Sequence, residues 1–222
     1  MKRQPAKTEP SLDPAHLYAV LSGHYGPSGW WPGETPFEVM VGAVLTQNTA
    51  WNNVEKAIAN LKAASLLDMD ALHKTPLDTL AGHLRPSGYY NVKARRLRNL
   101  VDMIAASFDG SLDRLFALDA DDLRATLLAV NGIGKETADS ICCYAAGKLV
   151  FVVDAYTRRI LSRHGIIGGD AGYDDIQDLF ESALSPDLDV YRDLHAHLVF
   201  IGKDYCRSRT PRCGECPLKG RV

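Results

Sequence analysis

The chain has 222 residues, with 25 Lys plus Arg against 27 Asp plus Glu, a formal charge of −2; 46% of its residues are apolar and 23% charged. This is ordinary globular composition, so disorder, collagen-like repeats and coiled coils are excluded. The length allows one large domain or two small ones, and no run of about 18 apolar residues could cross a membrane as a helix.

The chain opens on MKRQPAKTEPSLDP, which is polar, bears prolines and lacks the apolar stretch of a secretory signal. Residues 1–13 are expected to form a mobile arm. After it, little in the chain alternates as strands do. Helical periodicity dominates, in VEKAIANLKAASLL, KARRLRNLVDMIAASF and LRATLLAV. Gly and Pro punctuate these runs at GPSGWWPGETP, RPSG, NGIG, IIGGD and LSPDLD. Asp119 to Asp122 mark a helix start, because short acids cap and favour helix N-termini. The β-branched run Phe151-Val152-Val153 is too short to build a sheet alone. It reads as an extended connection or the lead-in to a helix. The predicted fold class is all-α, with many short helices.

The most informative stretch is LLAVNGIGKETA, residues 127–138. A helix should end near Val130, turn at Gly132-Ile133-Gly134, and restart at Lys135. Glycines there let the backbone take positive φ and approach a ligand closely. The free N–H groups and the dipole of the new helix favour a phosphate. The apolar flanks make this a helix–hairpin–helix, either an anion cradle or an αα-hairpin that merely packs. Twenty residues on, Asp154 follows an apolar run in VFVVDAYTRRI, where its carboxylate either caps the next helix or works chemically.

Five cysteines fall in two groups. Cys142 and Cys143 lie in the apolar run ICCYAAG and read as buried core thiols. Cys206, Cys213 and Cys216 have the spacing C-x6-C-x2-C. An odd count without a signal peptide does not suggest a disulfide framework. The three read as a metal or cluster site, or as free thiols, which oxidation disfavours. Charge is segregated. Arg85, Lys93, Arg95, Arg96 and Arg98 stand within 85–98 with no acid, and residues 203–221 are also basic. Acids gather at 109–122 and 170–189. A local basic face is enough for phosphate binding, so near-neutrality does not exclude DNA; it predicts modest, salt-sensitive affinity.

Taken in order, LxxVxGIGKxTA, VVDxYTRR and C-x6-C-x2-CPL resemble the endonuclease III superfamily of DNA glycosylases, over roughly residues 15–222. The segments WWPGETPFEVMVGAVLTQNTAWNNV, RPSGYYNVKARRL and GIGKETADSICCY are similar to its 3-methyladenine branch. The resemblance implies a two-lobed helix–hairpin–helix glycosylase fold. Residues 35–147 would form a six-helix barrel lobe, with 14–34 and 148–222 in a second lobe carrying a C-terminal iron–sulfur-type cysteine loop. A damaged base would enter the cleft between the lobes near Asp154.

The resemblance also implies roles. Asp154 would stabilise an oxocarbenium-like sugar and orient water. Bifunctional members place a lysine nucleophile where this chain has Glu136, and glutamate forms no Schiff base. Lys135 is next to it, but one residue turns a helix by about 100°, which aims Lys135 at the DNA backbone. The expected activity is therefore monofunctional. Trp30, Trp31 and Pro32 would form one wall of the base pocket, with Trp51 facing it, unless the tryptophans are core or interface anchors. Gln47 and Asn48 would fill the gap left by a flipped base, unless Asn48 or Thr49 caps a helix. Lys203 matches a lysine near the base pocket of the methyladenine branch. His195 and His197 read as helix-surface or core residues.

Gly132, Gly134 and Lys135, with Arg207, Arg209 and Arg212 of the cysteine loop, would contact phosphates. Cys206, Cys213 and Cys216 would hold a [4Fe–4S] cluster, with zinc or an empty site as alternatives; the family's fourth cysteine falls on Val222. The implied partner is damaged double-stranded DNA, met by a monomer in the cytoplasm at the nucleoid, with no membrane. Two competing readings are an endonuclease III-like glycosylase and lyase acting on oxidised or mismatched pyrimidines, and a non-catalytic helix–hairpin–helix DNA-binding module.

Overall fold

The structure is a computed structural model and describes residues 13–220. Val222 and residues 1–12 of the expected arm lie outside the described residues. The described chain is all-helical and contains no strand. It divides into two compact units, Trp31–Val150 and the pair Met1–Trp30 with Phe151–Val222.

Helix α1 spans Pro14–Tyr25. Asp13 starts it, accepting a hydrogen bond from the His16 N–H at 2.7 Å, and Pro14 supplies a preset φ where no N–H is needed. Asp13, placed in the arm by sequence, is thus the cap of this helix. The central unit then runs through α2 (Pro36–Leu45), α3 (Trp51–Ala63), α4 (Met69–Lys74) and α5 (Leu77–His83), followed by a 3₁₀ turn at Arg85–Ser87. It continues with α6 (Tyr90–Phe108), α7 (Leu112–Phe116), α8 (Ala120–Leu128) and α9 (Lys135–Ser140), which passes into a π-helical turn at Ile141–Ala145. The remaining helices are α10 (Ala155–Arg163), α11 (Tyr173–Ala183) and α12 (Leu188–Asp204).

Apart from Glu38, helix α2 is apolar all round, and every residue from Phe37 to Leu45 is buried, as expected of a central core helix. The amphipathic α3 turns Val54, Ala57, Ile58 and Leu61 inward, the i, i+3, i+4, i+7 stripe legible in the sequence. Val54, Leu61, Leu97, Ile104, Leu123 and Ile133 belong to one continuous core in this unit. The other unit has its own core around Leu17, Leu21, Ile160, Leu194 and Leu198, in which Phe151 stacks on Phe180 at 4.1 Å.

The buried run 151–153 makes no sheet. Its backbone is satisfied by side chains of α11 instead. Phe151 N–H donates to Glu181 at 2.7 Å, Gln177 donates to the Phe151 carbonyl at 2.7 Å, and Val153 N–H donates to the Tyr173 hydroxyl at 3.3 Å. Cys142 and Cys143 are buried in the π-helical turn. Burial, with the Asp139 carboxylate adding to it, pushes the Cys142 thiol up to about 12. It stays protonated and unreactive.

The basic run 85–98 is not the open cationic face its composition predicts. Lys93 is buried, and its ammonium donates to the carbonyls of Leu45 at 2.8 Å and Ser87 at 2.6 Å. Arg98 donates to the carbonyls of Leu72 and Thr75. Arg96 is half-buried and bonded to Gln47. Only Arg85 and Arg95 of the five are exposed. Helix and turn ends leave carbonyls without partners, and these cations satisfy them.

Burial, with Arg96 adding repulsion, pushes the Lys93 ammonium down to about 8. An unfolded lysine titrates near 10.4. Between those values the unfolded chain holds a proton that the folded chain has shed, so this group's contribution to stability rises with pH. The neutral amine still has N–H groups for both carbonyls. In urea unfolding at about pH 7.5 and 9.5, wild type is expected to gain stability relative to Lys93→Met. Parallel pH curves would refute this.

Candidate catalytic and nucleic-acid-binding residues

In the central unit, the hairpin forms as its sequence suggests. Asp119 caps α8 by accepting from the Asp122 N–H at 2.8 Å. Helix α8 ends at Leu128, Val130 and Ile133 turn into the core, and Gly134 leads into α9. The two glycines differ. Gly132 has φ +96°, and a Cβ there would collide with Arg96 Cγ. Gly134 has φ −97° and open space where a Cβ would lie. Gly134, Lys135 and Glu136 are all exposed at the start of α9.

Gln47 and Asn48 part company. Gln47 donates to the Gly132 carbonyl at 3.2 Å and the Thr137 hydroxyl at 2.9 Å, and accepts from Arg96. It is bonded to the hairpin. Asn48 is exposed with φ 53°. Neither Asn48 nor Thr49 caps α3, whose N-cap is Ala50, without a side-chain bond. Sequence reasoning missed Tyr89. It is 74% exposed and has φ 45° at the head of α6. A large aromatic held in the left-handed region and in solvent is unusual. The available signal was the Gly88-Tyr89-Tyr90 run directly after the RPS turn.

Trp31 packs edge-on against Trp51 at 5.3 Å and tilted against Tyr144 at 5.3 Å. Gly42 makes room for it; a Cβ there would come within 3.2 Å of the indole nitrogen. The Trp51 indole N–H donates to Glu55 at 2.9 Å. Pro32, Trp51 and Glu55, with Glu38 and Lys62, line a cavity of about 170 Å³. Trp30 lies across the unit boundary from Trp31 in the chain. It packs on Phe200 at 5.8 Å, and the exposed Lys203 ammonium stands 5.6 Å from its ring centroid.

In the same unit as Trp30, Asp154 divides its carboxylate. One oxygen caps α10, accepting from the Thr157 N–H at 2.7 Å and the Thr157 hydroxyl at 2.8 Å. The other lies 3.8 Å from Nε2 of His195. His195 is buried on α12, and burial lowers its pKa against the opposing pull of Asp154. It is a core histidine, yet it faces the carboxylate of interest. His197 is also in the core, its Nε2 2.8 Å from the Gly26 carbonyl.

The cysteine loop leaves the end of α12. Cys206 is buried, Cys216 half-buried and Cys213 exposed. Two arginines of α10 hold its start. Arg159 donates to the carbonyls of Cys206 at 2.7 Å and Gly202 at 3.0 Å. Arg163 donates to Cys206 Sγ at 3.4 Å and to the carbonyls of Arg207 at 2.6 Å and Ser208 at 2.8 Å. Burial raises the Cys216 thiol, and Cys206 and Cys213 add to the shift. Among the described residues no three His, Cys, Asp or Glu groups converge closely enough to hold a metal ion. Arg207, Arg209 and Arg212 are exposed, and Arg212 pairs with Glu215.

Comparison with known proteins matches residues 41–186 to the HhH-GPD superfamily base excision DNA repair protein family. The chain is 46% identical over 205 residues to a protein assigned as a DNA repair glycosylase in Methanocaldococcus jannaschii, covering 91% of this chain and 92% of that one. It is 29% identical to endonuclease III of Sulfolobus acidocaldarius, over 82% of this chain and 79% of the relative. Among solved structures, it is similar to the H. pylori 3-methyladenine DNA glycosylase bound to 1,N6-ethenoadenine, with TM-score 0.77, 33% identity, and coverage of 86% of this chain and 98% of that one. An endonuclease III–DNA complex shares the fold, with TM-score 0.79 at 21% identity over 92% and 91% of the two chains.

Proposed function

Because the chain belongs to the HhH-GPD superfamily of base excision DNA repair proteins, we propose that this DNA glycosylase is monofunctional and hydrolyses the N-glycosidic bond of alkylated purines such as 3-methyladenine. The observation that carries the reading is Asp154. One oxygen is committed to the helix cap, and the other, 3.8 Å from His195 Nε2, would face the sugar. In the reaction the C1′–N bond breaks and its electron pair leaves with the base. Asp154 stabilises the cationic sugar and orients the water that adds to C1′, taking up its proton.

Glu136, exposed where bifunctional relatives carry a lysine, supports hydrolysis without lyase chemistry. Trp31, Pro32 and Trp51 of the central unit supply apolar and aromatic surface, as does Trp30 in the other unit. A 3-methylated purine is cationic, so stacking on such surface contributes roughly 0.5–2 kcal/mol per favourable face. It is also a good leaving group and needs little acid catalysis. The Lys203 ammonium stands 5.6 Å from the Trp30 ring centroid, which supports a place for it beside the base. The similarity to the H. pylori enzyme, whose structure holds 1,N6-ethenoadenine, supports this substrate class.

The hairpin with Gly132, Gly134 and Lys135 would hold the phosphate backbone. Asn48 and Tyr89, both exposed, would enter the space of a flipped base. Cys206, Cys213 and Cys216 suit soft, thiolate-bound iron, and the Arg163 N–H on Cys206 Sγ is a hydrogen bond a thiolate accepts. The thiols do not by themselves form a closed site, and the family's fourth cysteine position is the aliphatic Val222, so a [4Fe–4S] cluster here would need a fourth ligand other than residue 222. Bound, it would hold Arg207, Arg209 and Arg212 towards phosphate. The protein would act on duplex DNA as a monomer; among the described residues no helix is long and apolar enough to cross a membrane.

The test is single-turnover base release from duplexes bearing 3-methyladenine, 7-methylguanine, ethenoadenine, thymine glycol or uracil. Release of the alkylated purines is expected, with no strand cleavage before heat or alkali and no borohydride-trapped complex. Trapping, or selective release of thymine glycol, would establish the endonuclease III-like reading. No release of any base would favour the non-catalytic module. Iron analysis of anaerobically purified protein tests the cluster.

A further inference from the structure

Lys93, Arg96 and Asn99 stand at i, i+3 and i+6 on α6, a single row along the helix. Each ends on a turn of the same unit. Lys93 donates to the carbonyls of Leu45 and Ser87. Arg96 donates to Gln47, which in turn donates to the Gly132 carbonyl and the Thr137 hydroxyl. Asn99 donates to the Asn131 carbonyl at 3.0 Å. The stem of Arg96 also lies where a Cβ of residue 132 would be. Three turns, at 45–49, 87–89 and 131–137, are thus pinned to one helix face.

We propose that this row is a positioning bracket that presents the three turns as one rigid DNA-engaging surface, and that Lys93 and Arg96 are not phosphate contacts. The inference rests on the proposed function for the roles of Asn48, Tyr89 and the hairpin. Lys93 is only 1% exposed and cannot reach a phosphate. Arg96 would have to release Gln47 to do so, and Gln47 would then lose the partner that aims it at the hairpin. A shared bracket fixes the spacing between turns before DNA arrives, so less ordering entropy is lost on binding. None of the three residues is a catalytic residue.

The experiment compares Arg96→Met, Gln47→Leu and the double variant, with Arg207→Gln as a phosphate-contact control. Affinity for an undamaged duplex is measured across salt concentrations, and backbone hydrogen exchange without DNA. Each single variant should weaken binding about ten-fold, the scale of one charge-assisted hydrogen bond, and leave the salt slope unchanged. Arg207→Gln should flatten that slope by about 0.9. The double variant should bind no more weakly than either single one, because both break one connection. Exchange should quicken at both 46–50 and 131–137 in every bracket variant.

A side chain that only stabilised the fold would lower the unfolding midpoint and leave duplex affinity at 25 °C alone. A flattened slope for Arg96→Met, additive losses, or quickened exchange at the substituted turn alone would overturn the bracket. If Arg96→Met does not fold, Gln47→Leu carries the same tests. If wild type binds no duplex, the proposed function fails. Linked exchange at the two turns would then still decide whether the turns are mechanically joined.

Discussion

Asp154→Asn is expected to lower base release by about 10²–10⁴-fold, the range of a lost acid–base or electrostatic contribution, while duplex affinity and thermal unfolding stay at wild-type values. The side chain has two tasks, and this substitution separates them. Asparagine caps helices as well as aspartate does, so its oxygen can still accept from the N–H and hydroxyl of Thr157. The negative charge that would stabilise a cationic sugar is gone. Asp154→Ala removes both, and should add a stability loss of about 1 kcal/mol from the missing cap. Single-turnover release, duplex binding and thermal unfolding of the two variants decide the matter. Near-wild-type release by Asp154→Asn would reduce Asp154 to a cap and return the chemistry to another group.

The second large effect concerns the hairpin. Gly132→Ala should destabilise the protein by roughly 3 kcal/mol, combining the left-handed backbone penalty with overpacking. Its φ of +96° is costly for any side chain, and the new methyl would meet the stem of Arg96. The strain falls on the segment whose carbonyl accepts from Gln47, so duplex affinity should fall with it. Gly134→Ala is the contrast. Its backbone is extended and the space beside it is open, so stability should change by less than about 0.5 kcal/mol. Weaker duplex binding by Gly134→Ala at unchanged stability would mean that DNA backbone comes close at that position. Equal stability losses for the two variants, measured by denaturant unfolding, would refute the distinction.

The difference between these glycines marks where sequence reading stops. The motif GIG predicts a tight turn with a close approach, and the turn is there. It assigns positive φ to both glycines, and only Gly132 has it. The same holds for Asp154. Its place before AYTRRIL poses cap against chemistry as alternatives, and the folded carboxylate uses separate oxygens for Thr157 and for the side facing His195.

The helices, their order and several of their ends were legible in the sequence. Apolar spacing places the buried stripe of α3 and the inward face of α6, Asp119 announces α8, and the Gly132–Gly134 turn separates α8 from α9. These features are local; they depend on side chains three or four residues apart and on backbone groups at a helix end. What the tertiary structure decided concerns partners distant in the chain. Lys93 and Arg98 look like surface cations until the carbonyls of Leu45 and Thr75 come near enough to claim them. The Phe151–Val153 run reads as an extended connection or a helix lead-in, and only the fold shows that Gln177, Glu181 and Tyr173 of α11 satisfy its backbone. Trp30 and Trp31, adjacent in sequence, pack into different units. Composition counts charges and periodicity assigns faces, but a cation's role depends on which unsatisfied carbonyl ends beside it, and only the folded chain brings the two together.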